Sequence, residues 1–251
     1  MPLRAPALAA ALAVLATACG GGASEPPAPP AGAIPAGASI GSASVSGRVL
    51  FRGTPPERRP ITMSGEAACH RPGSETYAED LVVNPDGTLR NVFVHVVSGL
   101  GERVFAAPAT AAAMDQAGCV FSPHLLAVQT DQVIEFRNSD PVVHNVHAQS
   151  ALNRTFNVSL SKSGTLTRRY FSKPDVVRIR CDIHAWMSAY VAVGANPFQA
   201  VTGEDGAFAL NGLPAGTYEI EGWHETLGAA RRTVTLREGE SQSIEISLAP
   251  R

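Results

Sequence analysis

The stretch Arg180-Cys181-Asp182-Ile183-His184-Ala185-Trp186-Met187 spaces a thiol, an imidazole and a thioether three residues apart, as C-x₂-H-x₂-M. A second imidazole, His144, precedes them in Asp140-Pro141-Val142-Val143-His144-Asn145-Val146-His147. Two imidazole nitrogens and a thiolate in one plane, with a weak axial thioether, suit a copper ion that changes oxidation state. The sulfurs favour Cu(I) and the imidazoles tolerate Cu(II), so the metal can cycle with little rearrangement. His144, Cys181, His184 and Met187 are therefore the candidate metal ligands. Taken singly each has a plainer use, as a buried thiol, a rim histidine or a core methionine. Only the combination points to copper.

Strands must carry these residues. Val177, Ile179 and Cys181 share one face of a strand, opposite Val176, Arg178 and Arg180, so the sulfur points into the fold. The chain then turns through His184 and Met187 and re-enters a sheet at Tyr190 to Val193. Upstream, Val133 to Arg137, Arg154 to Leu160 and Leu166 to Phe171 also read as strands. Val45 to Phe51 forms a first strand, Asn84-Pro85-Asp86-Gly87 marks a hairpin turn, and Asn91 to Val97 alternates. That alternation makes His95 a strand residue rather than a ligand. Leu100 to Gln116 is an Ala-rich connection, in which a short helix is expected around Thr110 to Met114. The fold class expected is all-β.

The pairing of His144-Asn145-Val146-His147 with C-x₂-H-x₂-M resembles the cupredoxin (blue copper) family, in particular its amicyanin/plastocyanin-like domains. The resemblance runs from about Ala117 to Val193 and takes in Phe121-Ser122-Pro123 and Val128 to Asp140. Thr130 stands where the family pattern has glycine. The likeness implies a Greek-key β-sandwich holding copper, and it leaves His147 out of the ligand set. It also implies that Asn145 supports the site from behind, its backbone or side-chain amide donating toward the Cys181 sulfur. From Ala200 the texture changes. Asp205-Gly206-Ala207-Phe208-Ala209-Leu210, then Gly212-Leu213-Pro214-Ala215-Gly216-Thr217-Tyr218, resembles the carboxypeptidase-regulatory-like (transthyretin-like) β module. Its usual opening strand, V-x-G-x-V, is matched by Val45-Ser46-Gly47-Arg48-Val49. The N-terminal strand is accordingly expected to pair with the C-terminal ones, the copper unit being inserted between them.

The whole chain has 251 residues, is 45% hydrophobic and carries a formal charge of −2, which gives no footprint for nucleic acid. Residues 1–18 read as a signal peptide of lipoprotein type, with cleavage before Cys19 and lipidation there. Residues 19–43 read as a flexible Pro/Gly/Ala tether. A G-x-S-x-G match at Gly37 to Gly41 lies in that tether, the wrong context for a nucleophile elbow. The remaining divisions are 44–116, an N-terminal β segment completing the C-terminal module; 117–195, the copper unit; and 196–251, the regulatory-like module. Four cysteines allow three pairings. With Cys19 taken by lipid and Cys181 by metal, Cys69 and Cys119 are left to form a disulfide. The rival is a second metal site built from Cys69, His70, Cys119 and His124.

These expectations add up to a lipid-anchored periplasmic or cell-surface electron carrier, monomeric and not an enzyme. It would dock redox proteins near His184 and Trp186. Two other classes fit less fully: a copper module for storage, delivery or sensing, and a scaffold or carbohydrate-binding β protein with a vestigial site.

Overall fold

A computed structural model describes residues 25–63, 65–69 and 75–250. The leader, Cys19 and His70 lie outside these residues. Sixteen strands follow in order: β1 (Ala43–Phe51), β2 (Phe93–Ser98), β3 (Ala112–Gln116), β4 (Phe121–Ser122), β5 (Leu125–Gln129), β6 (Ile134–Asn138), β7 (His144–Gln149) and β8 (Phe156–Leu160). Then come β9 (Thr165–Arg169), β10 (Asp175–Arg180), β11 (Ser188–Gly194), β12 (Gln199–Val201), β13 (Ala207–Leu213), β14 (Gly216–His224), β15 (Gly228–Leu236) and β16 (Ser241–Leu248). The chain is all-β. Among the described residues no helix is long and apolar enough to cross a membrane.

Four sheets enclose two main cores. One core lies between the sheet β13-β1-β16 and the sheet β12-β2-β14-β15. Val45 and Val49 meet Leu210, Ile246, Val94, Val96, Ile220 and Val234 there, all buried. β1 runs antiparallel to β13 and parallel to β16, so the first strand sits between two of the last four. The parallel register places Gly47 opposite Ile244. A Cβ at Gly47 would come 1.9 Å from the Ile244 carbonyl oxygen, which is why only glycine fits the middle of this strand. Gly47→Ala is expected to lower unfolding stability by about 2 kcal/mol, read from chemical denaturation.

The second core lies between the sheet β5-β11-β10-β7-β8 and the sheet β4-β3-β6-β9. Period-two alternation places Val146 and Ala148 of β7, and Val177 and Ile179 of β10, on its inner face with Phe136 of β6. The helix expected around Thr110 to Met114 is instead strand β3, hydrogen-bonded in parallel to β6. Pairing overrides the helical preference of alanine here, because β3 buries Met114 and Gln116 at alternate positions. A third small cluster, Phe93, Leu125 and Ala192, joins the two sandwiches.

Two segments outside the strands tie in as well. Within the stretch expected as a free tether, Ile34 bridges Phe105, and Ile34 and Ile40 pack on the first core. Apolar side chains in an otherwise turn-forming stretch supply that anchor. Between β1 and β2 an arm folds back on itself, with Pro60 bridging Tyr77. It carries Cys69 to the second core, where a disulfide joins it to Cys119.

Candidate metal centre

β7 begins at His144, and β10 ends one residue before Cys181. β7 and β10 are antiparallel neighbours, with His147 opposite Arg180. The start of one strand and the loop leaving the other therefore lie side by side. The loop is tight: Cys181 N–H donates to the Met187 carbonyl at 3.2 Å, and Met187 N–H donates to the His184 carbonyl at 2.9 Å. Three-residue spacing in a turn of this size brings both ends of the motif back to one place.

His144 Nδ1 and His184 Nδ1 stand 2.9 Å apart, and the Cys181 Sγ is 3.9 Å from His184 Nδ1. The donor atoms of His144, Cys181 and His184 all fall within 4.8 Å of one another. Donors at about 2.0–2.3 Å from one shared ion are spaced in this way. All three residues are buried, as is Met187, which packs in the same core as Cys181. Nδ1 nitrogens facing each other beside a sulfur, away from water, fit copper by donor type and by spacing.

Without metal, the three groups shift in different directions. Burial pushes the Cys181 thiol up, but the His144 imidazole and the backbone N–H groups of Asn145, His184 and Ile183 outweigh it, and its pKa falls below the ordinary thiol value. The thiolate is the form that binds metal. Burial also lowers His144, yet Cys181 and Asp140 overcome it and leave the pKa raised. His184 is lowered, by burial and then by the neighbouring His144.

Behind the donors lies a polar frame. Asn145 divides its contacts between backbone and side chain. Its backbone N–H serves the sulfur, while its side-chain oxygen accepts the Asp182 N–H at 2.7 Å and lies 3.2 Å from Sγ. Its amide nitrogen donates to Asn157 and Asp182, tying β7 to the ligand loop. Asn145→Ala would leave the backbone donor in place and orphan the Asp182 N–H. The copper-loaded variant is expected to keep its colour, shift its reduction potential and bind copper roughly tenfold more weakly. Voltammetry and chelator competition check this, and an unchanged potential would count against it.

His147 Nδ1 contacts the Asp182 carboxylate at 3.0 Å, away from the donor cluster. Asp182 also accepts from Asn157, Asn145 and Arg180, and its pKa falls to about 2, the His147 hydrogen bond being the main cause. Asp140 was not singled out by its sequence context. Its carboxylate is buried 3.0 Å from His144 Nε2. That contact sets the ring hydrogen on Nε2 and frees Nδ1 as a donor atom. The only sequence signal is an aspartate four residues before the histidine, which is too common to act on.

His184 is only 5% exposed, so little of the imidazole beside which docking is expected reaches the surface. Trp186 is half-buried: its indole N–H donates to the Cys119 carbonyl at 3.0 Å, and its ring lies 5.0 Å from that of His184. What the metal end does expose is Ile183 and Val143, at 53% and 43%, each one residue before a candidate ligand. The second metal site expected as an alternative at Cys69 and Cys119 is excluded by their disulfide. His124 instead pairs with Glu225.

No protein-family model and no curated protein matches the chain. Among solved structures, a purple cupredoxin from Nitrosopumilus maritimus is 21% identical, with a TM-score of 0.29 over 33% of this chain and 99% of its own. A Cu-containing nitrite reductase from Thermus scotoductus SA-01 is 21% identical, with a TM-score of 0.33 over 40% of this chain and 25% of its own. A reduced Cu(I) amicyanin variant is 20% identical, with a TM-score of 0.31 over 40% of this chain and 98% of its own. This chain thus spans about a quarter of the nitrite reductase.

Proposed function

We propose that this chain is a copper-binding electron-transfer protein of the cupredoxin type, passing single electrons between redox partners outside the cytoplasm. The observation that carries this is the meeting of His144 Nδ1, His184 Nδ1 and Cys181 Sγ in a buried pocket. When bound, copper would supply the one-electron change between Cu(I) and Cu(II). The chain's own residues do the rest. Burial keeps water from the sulfur, His144 and three backbone N–H groups lower the pKa of its thiol, and Asp140 and Asn145 fix the ligands from behind. A frame that does not relax between oxidation states is what fast electron exchange needs.

With Met187 completing the set, four protein donors leave no position for a substrate, which favours a carrier over an enzyme. Partners would dock on the apolar surface around Ile183 and Val143, next to the ligands. Within the expected segment 44–116, β1 and β2 would complete a regulatory-like module with residues 196–251, whereas β3 and Cys69 belong to the copper sandwich; lipidated Cys19 would hold the whole at a membrane.

The test is to load the purified chain with Cu(II) and follow its visible absorption through cycles of reduction and oxidation. An intense blue band that bleaches and returns is expected. Copper binding without a reversible couple would indicate storage or delivery instead, and no copper binding would leave a scaffold.

A further inference from the structure

One residue outside the ligand set reaches both imidazoles. The backbone N–H of Cys119 donates to Asp140 Oδ2 at 2.8 Å, and that oxygen contacts His144 Nε2 at 3.0 Å. Gly118 N–H takes the other carboxylate oxygen at 2.6 Å, so the carboxylate is gripped from both sides. The carbonyl of Cys119 accepts the indole N–H of Trp186, whose ring lies against His184. The two peptide groups of Cys119 thus lead to His144 on one side and to His184 on the other.

Their directions depend on a backbone angle that Cys119 does not favour. Its φ is +58°, in the left-handed region that costs a residue with a Cβ about 1 kcal/mol or more. The side chain is fully buried, and its sulfur lies within 4.8 Å of the Asp140 and His144 donor atoms. The disulfide to Cys69 anchors that side chain to the arm, in the same core as Met187 and Cys181.

We propose that the Cys69–Cys119 disulfide is a positioning element of the metal centre, orienting both ligand imidazoles through the two peptide groups of Cys119. This rests on the copper reading above, but it makes a prediction about the protein without metal. In the copper-free chain, the C69S/C119S double variant is expected to move the ring NMR signals of both His144 and His184. Those of His95 and His224, in the other sandwich, should stay in place. With Cu(II) bound, the variant should keep a Cys181-dependent band at a shifted position and hold copper roughly tenfold more weakly. In the bridged chain, W186F should move the His184 signal and leave that of His144.

A double variant that is less heat-stable, yet keeps both ring signals and the spectrum, would reduce the disulfide to a staple and overturn the proposal. If the double variant does not fold, W186F and D140N in the bridged chain decide: ring signals unmoved in both would overturn it equally. A bridged chain with no Cys181-dependent band would refute the copper function alone, since the metal-free signals are judged separately.

Discussion

Replacing Cys181 by alanine is expected to abolish the visible band of the copper-loaded chain, not to shift it. The band requires charge transfer between a thiolate and the metal, and Cys181 is the free cysteine among the described residues. Cys69 and Cys119 are committed to each other and offer no substitute sulfur. His144 and His184 remain in the variant with their Nδ1 atoms facing, so weak, colourless Cu(II) binding should persist. Absorption and Cu(II) paramagnetic resonance of the two proteins, side by side, separate loss of the sulfur bond from loss of the metal. A variant as blue as its parent would move the site away from Cys181 and end the proposed function with it.

The second large effect belongs to the other sandwich and to acid. His224 is fully buried at the end of β14, and Nδ1 accepts the Thr226 N–H at 3.2 Å. The ring hydrogen therefore sits on Nε2, which meets no partner among the described residues. Protonation would add a second donor where only an acceptor is wanted. Burial, and then the charge of His124, lower the pKa from 6.5 to about 4, with Asp80 opposing weakly. The sign follows from proton counts. Between pH 6.5 and about 4 the unfolded chain takes up a proton that the folded chain refuses. Stability is thus complete above that window and is lost as pH falls through it, by about 3 kcal/mol. Denaturant titrations at several pH values, for the parent and for His224→Gln, measure it. The glutamine variant should lose the part of the slope owed to His224 while the carboxylates contribute equally to both. Parallel slopes would show that His224 titrates normally.

Much of the site is legible in the chain because it is local. Cys181, His184 and Met187 fall within one turn, and a turn closed by two backbone hydrogen bonds permits few arrangements of such residues. Alternation also survives folding: Val177 and Ile179 are buried with Cys181, as period two requires. Where local signals are weak, neighbours decide. Alanines near Thr110 favour a helix in isolation, but a parallel partner in β6 and the burial of Met114 make them a strand. Of the frame behind the ligands, Asp140 was illegible for a related reason. Asp140 matters because the folded chain places it against His144 Nε2 and the turn at Gly118 and Cys119. The contacts with Gly118 and Cys119 join segments about twenty residues apart in a geometry that no spacing rule encodes.

By itself, then, the sequence determined which atoms are offered to a metal and that strands would present them. Donor chemistry is a property of residue type, and strand periodicity is a property of the local backbone. Only the tertiary structure decided how those atoms are held. It covered His184, gave the Trp186 indole a backbone partner, and routed a disulfide from a distant arm to the residue behind both imidazoles. It also decided which C-terminal strands flank β1 and in which direction, β13 antiparallel and β16 parallel. Such pairings depend on which surfaces are left to bury once local structure has formed, and that balance is struck over the whole molecule.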